Sequence, residues 1–150
     1  MENLHEVPGP ALTADQLHRL LRLRVDVFVV EQECPYAEVD GRDLLPTTTH
    51  VWVEDGGEIA STLRLLDAGG PDGALLVGRV VTAAPHRGAG LAARLMERVL
   101  DAHGHRRLEL EAQAHLAGWY ERFGFVRAGA DLGLDGIIHT PMVRVPGGAA

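Results

Sequence analysis

Residues 74–100 have the sequence ALLVGRVVTAAPHRGAGLAARLMERVL. The apolar run over residues 74–83 is typical of a central, buried strand. Gly88 and Gly90 then mark a turn, after which Leu91, Leu95 and Val99 recur on one helical face. The stretch therefore predicts a strand, a glycine-rich turn and a helix, in that order.

This turn has the features of a phosphate-binding site. The first NH groups of a helix have no partner within the helix and carry a partial positive charge, and glycines allow a phosphate to approach them closely. Taken alone, two glycines more often form only a tight connection, but Arg87 adds a cation beside them. We therefore predict a pyrophosphate site formed by Arg87, Gly88, Ala89, Gly90, Leu91 and Ala92.

Other nucleotide-binding motifs fit this turn less well. The Walker A motif needs a Gly-Lys-Ser/Thr ending, and no lysine lies near the turn. Residues 88–93 do match the dinucleotide fingerprint GxGxxA, with Glu109 about 20 residues further on. However, residues 84–87 separate the strand from the first glycine, and too little chain follows for a doubly wound sheet. A dinucleotide site remains the less favoured alternative.

The flanking sequence predicts further elements. A capping box at Thr13 opens a helix over residues 13–28, and Gly56-Gly57 joins two strands into a hairpin. Alternation over residues 107–113 predicts a strand parallel to the one before the turn. Residues 31–46 are expected to form a short helix and an irregular loop, a segment too acidic to be core. The other expected elements are hairpin strands at 49–54 and 58–66, a short helix at 114–122 and a final hairpin from 125–127 and 137–145. The lead-in (1–10) and the tail (146–150) are expected to be flexible.

Composition limits the classes of function. The chain has 150 residues, 46% of them hydrophobic, which suits one domain covering 1–150. A single cysteine, Cys34, excludes an internal disulfide and a Cys/His metal motif, so no metal is expected. The formal charge of -7 opposes nucleic-acid binding, and no apolar run is long enough to span a membrane. We expect a cytoplasmic protein; whether it is a monomer or a homodimer stays open.

Three segments together resemble the GNAT superfamily of N-acetyltransferases: Val80-Val81-Thr82, the R-x-x-G-x-A pattern of residues 87–92, and the sequence WYERFGF over residues 119–125. Residues 27–32, 78–80 and 112–114 further resemble the ElaA branch. The resemblance implies an α/β (α+β) fold with a mixed, twisted sheet whose central strands splay apart. It also implies acetyl-CoA as cosubstrate, with pantetheine in the gap between those strands.

The resemblance assigns roles to individual residues. Backbone groups of Val80, Val81 and Thr82 would bind the pantetheine amides. Tyr120 would protonate the departing CoA thiolate, a step in which a positioned acid contributes roughly 10²–10⁴-fold. A tyrosine between aromatic neighbours is otherwise a common packing residue. Gln113 stands where many relatives carry asparagine and would contact the cofactor.

No single residue is identified as the general base that the acceptor ammonium needs. The candidates are Glu31, Glu33, Glu111, His50 and His139. Of these candidates, Glu31 and His50 are assigned catalytic roles. Glu33 and His139, together with Tyr36, are assigned to substrate binding. The carboxylates of residues 31–43 would attract a cationic amine, although a solvated acidic loop explains them equally well.

The sequence thus predicts an N-acetyltransferase that moves the acetyl group of acetyl-CoA to a primary amine of a small molecule or peptide by direct attack in a ternary complex. One alternative is a non-catalytic acyl-CoA-binding sensor. The other is an oxidoreductase that binds a dinucleotide.

Overall fold

The computed structural model describes residues 3–69, 73–134 and 136–147. Within them, eight strands form one mixed sheet in the order β1-β2-β3-β4-β5-β8-β6, and β7 also pairs with β8. The strands are β1 (Asn3–Pro8), β2 (Thr48–Asp55), β3 (Glu58–Asp67), β4 (Leu75–Thr82), β5 (Leu108–Gln113), β6 (Val126–Arg127), β7 (Leu132–Leu134) and β8 (Ile137–Arg144).

Helices connect these strands. Helix α1 (Ala14–Arg24) begins with the predicted capping box between Thr13 and Gln16 and continues as a π-helical segment, Val25–Glu31. Helix α2 (Leu91–His103) follows the glycine turn, and a short 3₁₀ turn (Ala114–Leu116) leads into α3 (Ala117–Glu121). The single regular helix predicted over 13–28 therefore changes to π-helical geometry after Arg24. The short helix predicted within 31–46 is not formed, because turns and irregular chain follow the end of the π-helical segment.

The amino-terminal segment differs from the sequence-based expectation. The lead-in 1–10 was predicted to be flexible, yet residues 3–8 form β1, paired antiparallel with β2 from Asn3↔Glu54 to Pro8↔Thr49. A proline is tolerated there because it ends a strand at the edge of the sheet. At the other terminus, residues 148–150 of the predicted tail lie outside the described residues.

Strands β4 and β5 pair over a short distance and then separate. Their parallel pairing is limited to Leu75↔Leu108 and Leu76↔Glu109. Further along β4, Arg79 and Val80 lie opposite the single residue Leu63 of β3, and Arg79 has a positive φ of 51°. Such a bulge bends a strand. The predicted splayed central strands are confirmed, whereas a doubly wound parallel sheet, which the dinucleotide alternative requires, is absent from the described residues.

The two longer helices cover opposite faces of the sheet. Leu95 and Val99 of α2 pack in one core cluster with Val51, whereas Leu20 of α1 packs in another with Trp52. Neighbouring residues of a strand point to opposite faces of the sheet. Val51 and Trp52 are neighbours in β2, so α2 and α1, which pack against them, lie on opposite faces. In β5, Leu108, Leu110 and Ala112 belong to the α2 cluster. Glu109, Glu111 and Gln113 therefore face the side of α1.

Candidate active site

The glycine turn leaves the first NH groups of α2 open to a ligand. Gly88 and Gly90 have φ of 84° and 76°, a left-handed conformation that glycine adopts without strain, and Gly90 is the N-cap residue. A Cβ at either position would meet no atom within 4 Å. The predicted glycine turn is thus present as an exposed helix N-terminus, while the side chain of Leu91 is buried in the core beneath it.

Arg87 is fixed beside this turn. Its Nε donates to the carbonyl oxygen of Thr82 at 3.2 Å, and its NH2 group forms a 2.9 Å ion pair with Glu31. Both side chains of the pair are about half exposed. A cation therefore stands between the glycine turn and the end of β4.

A small cavity of about 210 Å³ lies next to Arg87 and is lined by β4. It brings together several residues predicted to bind the cofactor, namely Val80, Val81, Thr82, Arg87 and Gln113. The residues Gly88, Ala89, Gly90, Leu91 and Ala92 do not line it, so the contact predicted for them would be made outside this cavity, at the exposed turn. Glu31 lines this cavity and not the larger one.

A second cavity of about 700 Å³ lies in the gap between the splayed strands and is lined by residues from both faces of the sheet. The residues of its wall that were named from the sequence as catalytic or binding candidates are Tyr36, Val80, Glu111, Gln113, Tyr120 and His139. The two cavities share lining residues, which are Phe28, Gln32, Val80, Gln113 and Leu116. The two cavities therefore meet at the point where β4 and β5 diverge, and Arg87 links the smaller cavity to the glycine turn.

Tyr120 is the best-placed acid in this region. It lines the larger cavity but is only 6% exposed, with Trp119 and Phe125 rings packed edge-on at centroid distances of 4.9 and 6.3 Å. Burial raises the pKa of Tyr120 to about 12. The hydroxyl consequently keeps its proton at neutral pH.

Gln113 and His139 are neighbours in the antiparallel pair β5–β8. The amide Nε2 of Gln113 lies 3.3 Å from Oε1 of Gln32, and Nδ1 of His139 lies 3.1 Å from the carbonyl oxygen of Ile137. Gln113 lines both cavities and so stands at their junction. Sequence reasoning thus placed both residues in the wall of the site, as the structure does.

The assignment of Glu31 as a base gains no support from its surroundings. The hydrogen bond from Arg87 lowers the pKa of Glu31, which makes its carboxylate a weaker proton acceptor. Its position on the phosphate side also separates it from Tyr120, which lines only the larger cavity. Glu33 is exposed, has a positive φ of 51° and lines neither cavity, so its predicted contact with substrate is not seen.

His50 lies inside the protein and not in the cavity wall. It is 1% exposed, and its Nε2 lies 2.9 Å from the carbonyl oxygen of Asp43. Burial lowers the pKa of His50, so the ring is neutral and Nε2 donates to that oxygen. The catalytic role predicted for His50 is therefore corrected to a structural one.

The acidic segment after α1 is partly core, contrary to the sequence-based prediction. Glu38 and Asp43 are 3% and 6% exposed. Arg24, itself 1% exposed, contacts Glu38 at 2.7 Å and Asp43 at 2.6 Å. Arg64 of β3 binds Asp43 at 3.1 Å. Burial is possible because each carboxylate meets guanidinium groups from other elements.

Arg79 joins this network to the bulge of β4. Its Nε donates to Glu38 at 2.8 Å, and its guanidinium lies 5.5 Å from the ring centre of Tyr36. The Tyr36 hydroxyl donates to Glu38, and burial together with that carboxylate raises the pKa of Tyr36. Tyr36 therefore forms a fixed part of the cavity wall.

Asp40 completes the network at the edge of the larger cavity. Burial alone would raise its pKa, but hydrogen bonds from Arg64 and from the backbone NH of Arg42 hold it at about 2. Sequence analysis missed Arg24, Arg64 and Arg79. The sequence feature that could have identified them is the position of these arginines within apolar stretches, such as Leu63-Arg64-Leu65. An arginine buried in such a stretch needs a carboxylate partner, and the acidic loop of the same chain offers several.

In the described part of the chain, no helix has the length and apolar character needed to cross a membrane.

Comparison with known proteins gives consistent matches along most of the chain. The family model of the acetyltransferase (GNAT) domain matches residues 20–145. A UPF0039 protein of Mycobacterium tuberculosis is 46% identical over 146 residues, covering 95% of this chain and 93% of the relative.

Two solved structures superpose closely. An acyl-CoA N-acyltransferase from Pseudomonas aeruginosa has a TM-score of 0.89 and 41% identity, covering 95% of this chain and 99% of the other. Escherichia coli ElaA also has a TM-score of 0.89, with 33% identity, covering 96% and 99%. The matched span contains the glycine turn, the splayed strands and Tyr120. The chain therefore belongs to the GNAT acetyltransferase family, and its homologues include ElaA and UPF0039 proteins.

Proposed function

We propose that this protein transfers the acetyl group of acetyl-CoA to a primary amine by direct attack in a ternary complex. The observation that carries the proposal is the path from Arg87 at the start of the glycine turn, through the two adjoining cavities in the gap between β4 and β5, to buried Tyr120. The relative from Pseudomonas aeruginosa, which is called an acyl-CoA N-acyltransferase, supports the same reaction.

The cofactor fits this path by its chemistry. The diphosphate of CoA would accept hydrogen bonds from the NH groups of Gly88, Ala89 and Gly90, assisted by Arg87. Beyond Leu76, β4 has lost β5 as a partner, so its backbone groups on that edge need other hydrogen bonds. The amides of pantetheine can supply them as an added strand would.

The acetyl transfer itself needs one acid. Attack by the neutral amine on the thioester carbonyl forms the new C–N bond and a tetrahedral intermediate. Its collapse breaks the C–S bond and releases a thiolate, which takes the proton of the Tyr120 hydroxyl. The amine nitrogen loses its extra proton to water, and the tyrosinate regains a proton from solvent, so the charges balance over the cycle.

Replacing Tyr120 by phenylalanine tests the acid role. Because the ring and its packing remain, we expect unchanged folding and CoA affinity but a kcat lower by about 10²-fold. CoA release can be followed with an amine panel, alongside calorimetry of CoA binding. Full turnover by Tyr120→Phe would contradict the acid role, and tight acetyl-CoA binding without transfer to any amine would favour a sensor.

A further inference from the structure

The wall of the larger cavity contains one exposed carboxylate that has no ion-pair or hydrogen-bond partner among the described residues. Of the carboxylates in its wall, Asp40 pairs with Arg64 at 2.8 Å and Glu109 pairs with Arg107 at 2.7 Å. Among the described residues, the side chain of Glu111 has neither an ion-pair nor a hydrogen-bond partner, although it faces the same space. A free negative charge therefore stands in the wall of the cavity.

Glu111 faces open space across the gap between the strands. The last paired residues are Leu76 and Glu109, and two residues further along each strand are Gly78 and Glu111. Gly78 also lines the cavity, and its φ lies outside the left-handed region. A Cβ there would meet no atom within 4 Å, so neither the backbone nor the packing requires glycine. A strand glycine of this kind is typical of a place where a ligand approaches closely.

The remaining charges of the wall disfavour a second cation. Arginines contribute most of its positive groups, and these are Arg42, Arg64, Arg79 and Arg107. The guanidinium of Arg42 has no partner among the described residues, whereas the other three are bound to carboxylates. A second ammonium group would meet arginines and no unpaired carboxylate.

An apolar surface lies beside Glu111. Leu66 pairs with Leu76, Leu76 with Glu109, and Glu109 with Val143, so these residues form one row across the sheet. Leu66, Leu76 and Val143 all line the cavity and are partly exposed there. The row offers an apolar body of modest size a surface on which to pack.

We propose that Glu111 binds the ammonium group of a monocationic primary amine, whose apolar body lies over Gly78 and the Leu66–Leu76 row. The same nitrogen attacks the thioester after it has released one proton to water. This inference rests on the proposed acetyl transfer and defines the class of its acceptor. Glu111 favours an acceptor amine with one positive charge. Because Gly78 has no side chain, the space above it is open to the apolar body of that acceptor.

Binding of a simple cationic amine to the CoA-bound protein tests the role of Glu111. The probes are benzylamine, which is protonated at neutral pH, and aniline, which is neutral and of similar size. We expect Glu111→Gln to weaken benzylamine binding roughly ten-fold or more, because a hydrogen bond to a charged group is lost, and to leave aniline unaffected. Spermidine should bind no more tightly than benzylamine.

The matched control is Glu97→Gln, which changes the net charge equally but lies on the exposed face of α2. It should bind benzylamine as the original protein does. Equal binding by Glu111→Gln and Glu97→Gln would overturn the proposal, as would the absence of benzylamine binding to the original protein.

A second variant tests the space at Gly78. Gly78→Ala places a methyl group in the open volume without strain, so with CoA at saturation we expect unchanged folding but weaker benzylamine binding. The control Gly133→Ala alters another strand glycine without a positive φ, outside the cavity wall. Benzylamine binding to Gly78→Ala at the original affinity would contradict the placement of the acceptor.

These binding measurements separate this proposal from the proposed reaction. A protein that binds benzylamine through Glu111 but transfers no acetyl group would refute the reaction and keep the site. A protein that acetylates amines equally well with and without the Glu111 carboxylate would refute the site and keep the reaction.

Discussion

At the scale of single residues, burial acts differently on Tyr120 and His50. Tyr120 is buried in the wall of a cavity, where a raised pKa keeps its hydroxyl protonated. His50 is buried away from both cavities, where a lowered pKa keeps the ring neutral and bonded to the backbone of Asp43. Sequence reasoning chose both residues as catalytic, and only Tyr120 lies in the wall of a cavity.

The neutral state of His50 predicts a pH dependence of stability. The pKa of His50 in the folded protein lies below its ordinary value of 6.5, so the unfolded chain takes up a proton first as the pH falls. The stability contributed by neutral His50 is therefore complete above pH 6.5 and is lost progressively below it. The melting temperature, followed by circular dichroism, should fall between about pH 7 and pH 5.

His50→Gln provides the control because its amide can still donate to Asp43 but does not titrate. The melting temperature of this variant should vary less over the same range. An identical pH profile for both proteins would contradict the buried, neutral state of His50. Protonation of Asp40, whose pKa is about 2 instead of 3.8, should destabilise the fold only below the pH range in which His50 acts.

At the scale of elements, the site depends on two features, which are the start of helix α2 and the bulge in strand β4. Helix α2 begins directly after Gly90, and β4 bends at Arg79 while β5 continues without it. The first point was predictable, because glycines followed by an amphipathic pattern are a local signal. The bulge was not, since it depends on how β4 pairs with β3.

Replacing Gly90 by alanine tests the phosphate turn, and Gly57→Ala serves as its matched control. Both glycines have positive φ, 76° and 81°, and at neither would a Cβ meet an atom within 4 Å. Each variant should lower the free energy of unfolding by about 1 kcal/mol, as measured in urea. Only Gly90→Ala should also weaken CoA binding. Equal CoA affinity of the two variants would contradict the assigned turn.

At the scale of the whole molecule, buried ion pairs join the acidic loop to the rest of the fold. Arg24 of α1, Arg64 of β3 and Arg79 of β4 reach carboxylates of that loop. The loop thereby forms one wall of the larger cavity. Such pairs orient groups that would be unstable if buried alone. The net charge of the chain therefore says little about the charge inside the site.

The sequence predicted local structure better than contacts between distant segments. The hairpin of β2 and β3, the β4–α2–β5 unit and the position of Tyr120 follow from local patterns and from the family resemblance. The pairing of β1 with β2 and the burial of Glu38 did not, because each depends on partners many residues away. For the same reason, the free charge of Glu111 among several candidate bases became evident only from its neighbours.

Titration of the isotopically labelled protein with CoA, followed through its backbone amide NMR signals, tests the central claim most directly. We expect the amides of Gly88, Ala89 and Gly90 to shift strongly, since they would donate to the diphosphate, and those of Val80–Thr82 to shift as pantetheine enters the gap. The amide of Gly57 should not move. Unchanged signals for the glycine turn under saturating CoA would contradict the cofactor site and the transfer reaction built on it.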